Sequence, residues 1–276
     1  MRESRKEHWE AFWTEAEGLS LDDVYDNGGR ILREIFEVCD PSGMRVLEVG
    51  AGTGRDSIAL ARAGARVVTL DYAPRSLDLI RQAAERAGVE VEMVGGDGLA
   101  LPFPDGSFDL VFHQGLLEHF RDPMPMLREH VRVLKPGGLL LVDVPQRWHY
   151  YTVGKHLLMA FDKWFAGWET EFSVGELEDL MRSAGLEPTH AYGDWMVPNL
   201  FYRALRKVLL KTVGWRLPMY PRPLPVIGPI DRAWRRWFGS KRASLYTTIV
   251  IGVFGRKPVT ATPATERSRE VATSAV

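Results

Sequence analysis

Residues 45–56, R-V-L-E-V-G-A-G-T-G-R-D, limit the folds open to this chain more than any other stretch. Val46, Leu47 and Val49 make a short apolar strand with one acid, Glu48, set into it. Glycines at 50, 52 and 54 then break the strand before a helical pattern begins near Asp56. Glycine lacks the Cβ that forbids positive φ and holds neighbours off, so such a turn folds back tightly and lets a ligand come against its backbone. A helix starting there points free amides and the positive end of its dipole at the same space. The spacing, G-x-G-x-G, puts the third glycine one residue earlier than in a dinucleotide fingerprint, which argues against a nicotinamide dinucleotide.

Short apolar runs alternate with helical patterns on both sides of this turn. The periodicity predicts strands at 45–49, 66–70, 91–94, 108–112 and 138–144, and helices at 4–17, 21–38, 56–63, 75–87 and 123–134. Regular β-α alternation favours a doubly wound, mostly parallel α/β sheet with its ligand at the carboxyl ends of the strands. After Pro145 the alternation loosens into an aromatic segment, 147–172, that holds Trp148, Tyr150, Tyr151, Phe161, Trp164, Phe165, Trp168 and Phe172. It reads equally as core under a helix or as a lid over an apolar substrate. Ser173 and Glu176 have the spacing of a capping box, which predicts a helix closed by Gly185, and further strands follow at 186–192 and 246–254.

Two more acids stand where strands end. Asp71 closes V-V-T-L-D-Y, where a carboxylate can accept from the vicinal hydroxyls of a ribose while Tyr72 packs on an adenine face. That position suits nicotinamide and adenosyl cofactors alike. Asp97, in G-G-D-G-L-A-L-P-F-P-D-G-S-F-D-L-V-F, can accept from an adenine amino group while the Gly98 or Leu99 amide meets a ring nitrogen. Glu48, Asp71 and Asp97 thus face one crevice.

V-L-E-V-G-A-G-T-G, Leu70-Asp71, D-G-L-A-L-P-F-P-D-G-S-F-D-L-V, H-Q-G-L-L-E-H-F and R-V-L-K-P-G-G follow one another in order and at compatible spacing. Together they resemble the class I S-adenosylmethionine-dependent methyltransferases, with the nearest likeness to the small-molecule branch that includes the quinone-ring enzymes. The resemblance implies a Rossmann-like, seven-stranded sheet whose last strand, 246–254, runs antiparallel, with a helical insertion before it. It implies a core at 41–193 and 244–256, a helical cap at 1–40, a basic aromatic insertion at 194–243 and a disordered tail at 257–276. The cofactor implied is S-adenosylmethionine. Gly50, Ala51, Gly52 and Gly54 would surround its methionine part, and Glu48, Asp71 (with Tyr72) and Asp97 (with Gly98 and Leu99) its amine, ribose and adenine ends. Gln114 and Gly115 would line the sulfonium side, with His119 closing the next turn. Some quinone O-methyltransferases carry a further acid three residues before the glutamate of this E-H pair. Gly115 occupies that place here, and the seven histidines lack metal-ligand spacing, so no metal is expected.

Methyl transfer from a sulfonium is an in-line displacement, in which the protein chiefly positions and desolvates the acceptor. A small-molecule or lipid-linked acceptor, methylated on oxygen, is the favoured reading; a nucleic-acid methyltransferase or a cofactor-binding scaffold is the alternative. An oxygen acceptor benefits from a base, and His149, Tyr150 and His156, with Tyr151 and His113, are the candidates. The insertion holds the charge of the chain: residues 194–245 carry eleven Lys and Arg against two Asp, in a protein of net charge −1. In 200–211 an apolar stripe opposes four cations, and Trp234, Trp237 and Phe238 sit among arginines. A solvated helix face, a lid, a peripheral membrane contact through 200–242 and a nucleic-acid surface all suit that pattern. One cysteine, the lack of a signal-peptide stretch and no membrane-spanning run predict a cytoplasmic protein.

Overall fold

The computed structural model describes residues 6–15, 27–161, 169–195, 200–218, 227–239 and 241–259. Seven strands form one sheet: β1 (Arg45–Val49), β2 (Arg66–Asp71), β3 (Glu92–Gly95), β4 (Phe108–Gln114), β5 (Leu134–Pro145), β6 (Glu187–Asp194) and β7 (Val250–Arg256). Their order is β3-β2-β1-β4-β5-β7-β6. The first five run parallel, and β7 lies antiparallel between β5 and β6. The chain winds outward from β1 through β2 to β3, then returns to place β4 on the other side of β1. That reversal opens a crevice beyond the carboxyl ends of β1 and β4.

Alternate residues of each strand serve two cores. Leu47, Val49, Val68, Leu70, Val111 and Leu140 face one side, and Val46, Val67, Leu110, Phe112, Leu139 and Leu141 the other. The second face is covered by α2 (Arg30–Val38), α3 (Arg55–Arg62) and α4 (Pro74–Ala87) through Ile31, Ile35, Ile58, Leu60 and Ile80. The first is covered by α5 (Met124–Val133) and α7 (Val174–Ser183) through Met126, Leu127, Leu177 and Met181. With both faces covered, each of these side chains contributes roughly 1.5–3 kcal/mol of apolar burial. The expected capping box closes the start of α7: Ser173 Oγ accepts from the Glu176 amide and Glu176 returns a bond to the Ser173 amide.

The N-terminal helix α1 (Lys6–Glu15) packs against α4, with Trp13 buried beside Ala73 and Leu79. Within the aromatic segment the chain forms α6 (Tyr150–Ala160); Trp164, Phe165 and Trp168 lie outside the described residues. The insertion supplies α8 (Leu200–Val213) and α9 (Ile227–Gly239).

Boundaries depart from the sequence reading where tertiary contacts intervene. The helix expected at 21–38 is described from 27 onward and starts at Arg30, after Gly28 and Gly29 at φ 62° and 69°. The last strand starts at Val250, because Arg242–Tyr246 make a 3₁₀ turn held by Thr248 Oγ1 donating to Leu245 O at 3.0 Å. Ordered pairing also passes 256: the Lys257 amide donates to Gly138 O at 2.9 Å and its Nζ to the carbonyls of Val131 and Leu134. Of the tail expected to be disordered, 260–276 lie outside the described residues.

Candidate active site

The glycine turn after β1 is built as its sequence requires, with Gly50, Gly52 and Gly54 at φ 67°, 54° and 64°. Positive φ is strained for other residues, so the path of the turn depends on all three. The Gly50 amide donates to Leu70 O at 2.8 Å, and the Gly54 amide to Ala51 O at 2.8 Å. Asp71, at the end of β2, braces the turn from below: its two oxygens accept from the amides of Gly52 and Ala73, each at 2.9 Å. Ser76 Oγ donates to Gly52 O at 2.7 Å. Burial pushes the Asp71 carboxyl upward, and the amides of Ala73 and Gly52 pull it back. Each carboxylate oxygen keeps a second lone pair, so bracing the turn leaves Asp71 able to accept from a hydroxyl.

The turn opens on a cleft of about 290 Å³. Of the thirteen residues read as cofactor contacts, twelve line it: Glu48, Gly50, Ala51, Gly52, Asp71, Tyr72, Asp97, Gly98, Leu99, Gln114, Gly115 and His119. Gly54 does not. It stands under the turn as the residue before α3, where an added Cβ would meet Ile80 Cγ1 at 2.8 Å. Glu48 is buried and accepts from Ser57 Oγ at 2.5 Å; burial, and then the charge of Asp56, push its carboxyl well above the usual range. Asp97 is exposed at the rim, and its Oδ1 accepts from the Leu99 amide at 3.0 Å. Of the two amides read as ring-nitrogen donors, Leu99's is therefore already engaged. Gly115, at φ 64°, is tied by its amide to Asp143 O at 2.9 Å, and His119 makes an edge contact with Trp9 at 5.1 Å.

The proposed bases take other places. His149 caps α6, its Nδ1 accepting from the Tyr151 amide at 3.2 Å, and burial lowers its pKa. Tyr150 is 67% exposed and rests on the His149 ring. His156 Nε2 pairs with Glu171 Oε2 at 2.7 Å. None of the three lines the cleft. His113 is fully buried in β4, 5.2 Å from His130. Tyr151 lies near Glu118, Glu169 and Glu171, and burial followed by those charges raises its phenol. Lys155 sits in the same cluster, wholly buried between Glu169 Oε2 at 2.7 Å and Glu171 Oε1 at 2.6 Å. This group anchors the 3₁₀ turn Leu117–His119, since the Thr170 amide donates to Glu118 O at 2.8 Å.

The structure adds residues that the sequence reading passed over. Trp9 and Trp13 of α1 form one wall, and an added Cβ on Gly52 would meet Trp13 Cζ2 at 2.8 Å. Arg55, Asp56, Leu116 and Phe120 also line the cleft. Behind it Asn27 Nδ2 donates to Asp56 Oδ2 at 2.7 Å and to Gln114 Oε1 at 2.8 Å. Asp56 was legible as an acid in the first turn of a helix opening on the glycines. Asn27 gave no signal, because its partners are 29 and 87 residues away.

Glycine turn, strand-end acids and sheet order together are the arrangement of the class I S-adenosylmethionine-dependent methyltransferases. Residues 47–142 match the family model described as a methyltransferase domain. Within the class the chain resembles quinone methyltransferases. It is 33% identical over 156 residues to a ubiquinone biosynthesis O-methyltransferase of Cereibacter sphaeroides, covering 55% of this chain and 63% of that one. It is 44% identical over 100 residues to a demethylmenaquinone methyltransferase of Thermus thermophilus, 36% and 46% of the two chains. The chain thus spans less than two thirds of either relative. A solved S-adenosylmethionine-dependent methyltransferase of Thermotoga maritima shares the fold at TM-score 0.61 and 21% identity, over 91% of this chain and 98% of that one.

Proposed function

We propose that this chain methylates a hydroxyl oxygen of a small, lipid-linked aromatic acceptor, with S-adenosylmethionine as the donor. The observation that carries the reading is the cleft itself, where glycine backbone, three strand-end carboxylates and Gln114-Gly115 converge around one cavity. The lining fits the donor. Buried carboxyls at Glu48 and Asp56 suit a cationic ligand, Asp71 suits a ribose, and exposed Asp97 suits an adenine edge. When bound, the donor supplies an electrophilic methyl on a sulfonium that leaves as a neutral thioether.

The protein's part is to orient the two molecules and exclude water, with Trp9, Trp13 and Phe120 walling the cavity. The imidazole in the lining is His119, and it is the group assigned to receive the hydroxyl proton. Of the similar proteins, one is named as a ubiquinone biosynthesis O-methyltransferase and one as a demethylmenaquinone methyltransferase, which supports a quinone-related aromatic acceptor. The surface supports a lipid-linked one. Phe201, Leu205, Val208 and Val213 of α8 are exposed beside Lys207 and Lys211, and residues 200–218 contain no acid. Apolar and cationic residues on one exposed helix suit the face of an anionic bilayer. Among the described residues no helix is long and apolar enough to cross a membrane.

The test is methyl transfer from isotope-labelled S-adenosylmethionine to a polyprenylated catechol in vesicles with and without anionic lipid, with bulk RNA as the rival acceptor. Label in the catechol, favoured by anionic vesicles, is expected. Label in RNA alone would overturn the acceptor, and equal sedimentation with neutral and anionic vesicles at low salt would overturn the surface.

A further inference from the structure

A group of buried charges lies behind the turn that carries His119. Lys155, in α6, is wholly buried, with its Nζ 2.7 Å from Glu169 Oε2 and 2.6 Å from Glu171 Oε1. Thr170, the residue between those two glutamates, donates its amide to Glu118 O at 2.8 Å. Glu118 is the middle residue of the 3₁₀ turn Leu117–His119, and its carboxyl is near enough for the charges of Glu169 and Lys155 to act on it. From this turn and its flanks Leu116, His119 and Phe120 line the cleft. A continuous path thus runs from the ammonium, through one short piece of backbone, to the imidazole. The helix that carries the lysine has little else to seat it. Of the eleven residues of α6 only Thr152, Lys155 and Met159 are buried, while Tyr150, Val153, Leu157 and Leu158 stand exposed. Apolar burial therefore holds α6 weakly, and the charge cluster supplies the tie.

On the reading of His119 as the base, we propose that Lys155 is a positioning residue for the reaction: by clamping Glu169 and Glu171 it fixes the Thr170 amide, and with it the turn that presents His119 to the acceptor. Buried ion pairs add little net stability, because desolvation offsets most of the attraction. An ammonium set between two carboxylates nevertheless admits few arrangements, so it specifies one path for the backbone that joins them. Precision matters at the far end of that path. A base acts only within hydrogen-bond reach of the proton it takes, and a misplacement of about 1 Å costs about 100-fold in rate. Lys155 does not line the cleft, so it touches neither donor nor acceptor in this scheme. Glu171 has a second partner in His156, whose Nε2 stands 2.7 Å from Glu171 Oε2. The ammonium can therefore be removed together with Glu169 while Glu171 stays paired.

Three variants of the full chain test the clamp: Lys155→Met, the Lys155→Met, Glu169→Met double variant, and Glu169→Gln, whose amide oxygen still accepts from Nζ. Calorimetry with S-adenosylhomocysteine, the demethylated donor, reads the cofactor end, and kcat on a polyprenylated catechol reads the chemistry. The His119 ring signal in NMR spectra, assigned by its loss in His119→Gln, reads the imidazole itself. Lys155→Met is expected to move that signal and lower kcat about 10- to 100-fold, while the acceptor KM and the affinity for S-adenosylhomocysteine change by less than about threefold. The double variant removes one charge of each sign and is expected to behave alike, so it decides the matter if Lys155→Met does not fold. Glu169→Gln is expected to keep kcat within about threefold of wild type and the ring signal in place. An unmoved ring signal with undiminished kcat in the variants lacking the lysine would overturn the proposal. So would parallel losses of kcat and S-adenosylhomocysteine binding, or a Glu169→Gln variant as impaired as Lys155→Met. Wild-type protein that binds S-adenosylhomocysteine but leaves the catechol unmethylated would instead overturn the proposed acceptor, and the ring signal alone then decides whether Lys155 positions His119.

Discussion

Gly52 and Gly54 stand two residues apart in one turn, and substitution separates their duties. An alanine at either is strained, at φ 54° and 64°. At Gly52 the new Cβ would also press on Trp13 in the cleft wall, whereas at Gly54 it would press on Ile80 in the core, away from the cleft. Gly54→Ala is therefore expected to lower stability by about 1–3 kcal/mol in urea unfolding while the folded protein keeps its affinity for S-adenosylhomocysteine. Gly52→Ala is expected to weaken that affinity at least about tenfold for a similar loss of stability. A second residue-scale prediction concerns His113 and His130. Burial lowers His130 to about 4 and holds His113 well below the ordinary imidazole range, so both are neutral in the fold at pH 7. In the unfolded chain they take up protons near pH 6.5. Their contribution is thus complete above about pH 6.5 and is lost as pH falls toward 4, with His130 alone accounting for about 2 kcal/mol between pH 6.5 and 5. Urea midpoints over that window should fall for the wild type and fall less steeply for His130→Leu.

At the scale of elements, local chemistry decides where helices begin, and α7 is the clearest case. Both bonds of its capping box are present, and Val174, Leu177 and Met181 put the following turns into the core. Ser173→Ala is expected to lower stability by about 1 kcal/mol, read as a shift in the urea midpoint with unchanged slope. Elements of this kind were legible because their determinants lie within a few residues of one another. Strand β1, the glycine turn, α4 and the Ser173 cap are each specified by neighbours in sequence, and the strand-end acids could be placed in one crevice once alternation implied a parallel sheet. Elements specified by distant contacts were not legible. The start of α2 depends on Asn27 reaching Asp56 and Gln114, and β5 begins at Leu134, in place of the expected 138, through a pairing with Phe108. The bases proposed from sequence failed to meet the cleft for the same reason. Nearness to the end of β5 said nothing of α6, whose first turn uses His149 as a cap and leaves Tyr150 on the surface.

Across the whole molecule, one buried ion pair ties the site to the far half of the sheet. Arg30, the first residue of α2, reaches Asp143 in β5 through Nε at 3.0 Å and Nη2 at 2.8 Å, and Tyr192 of β6 donates to Asp143 Oδ2 at 2.8 Å. The carbonyl of Asp143 holds the Gly115 amide, and Asn27 lies three residues before Arg30. The pair thus fixes α2 and the Gly115 loop relative to each other, and through Asn27 it fixes the orientation of Asp56 and Gln114. Buried pairs are weak sources of net stability, because desolvation offsets most of the attraction, but an orphaned member is strongly destabilising. Asp143→Asn should therefore lower unfolding stability by about 3 kcal/mol, since it leaves the buried Arg30 charge with only the more distant Asp194 Oδ2, at 3.8 Å. An Arg30→Met, Asp143→Leu double variant should regain most of that loss in the same urea assay. If registration is the purpose of the pair, the double variant will still bind S-adenosylhomocysteine more weakly than the wild type. Recovery of both stability and affinity would mean that apolar packing alone places α2, and that the charges serve no positioning role.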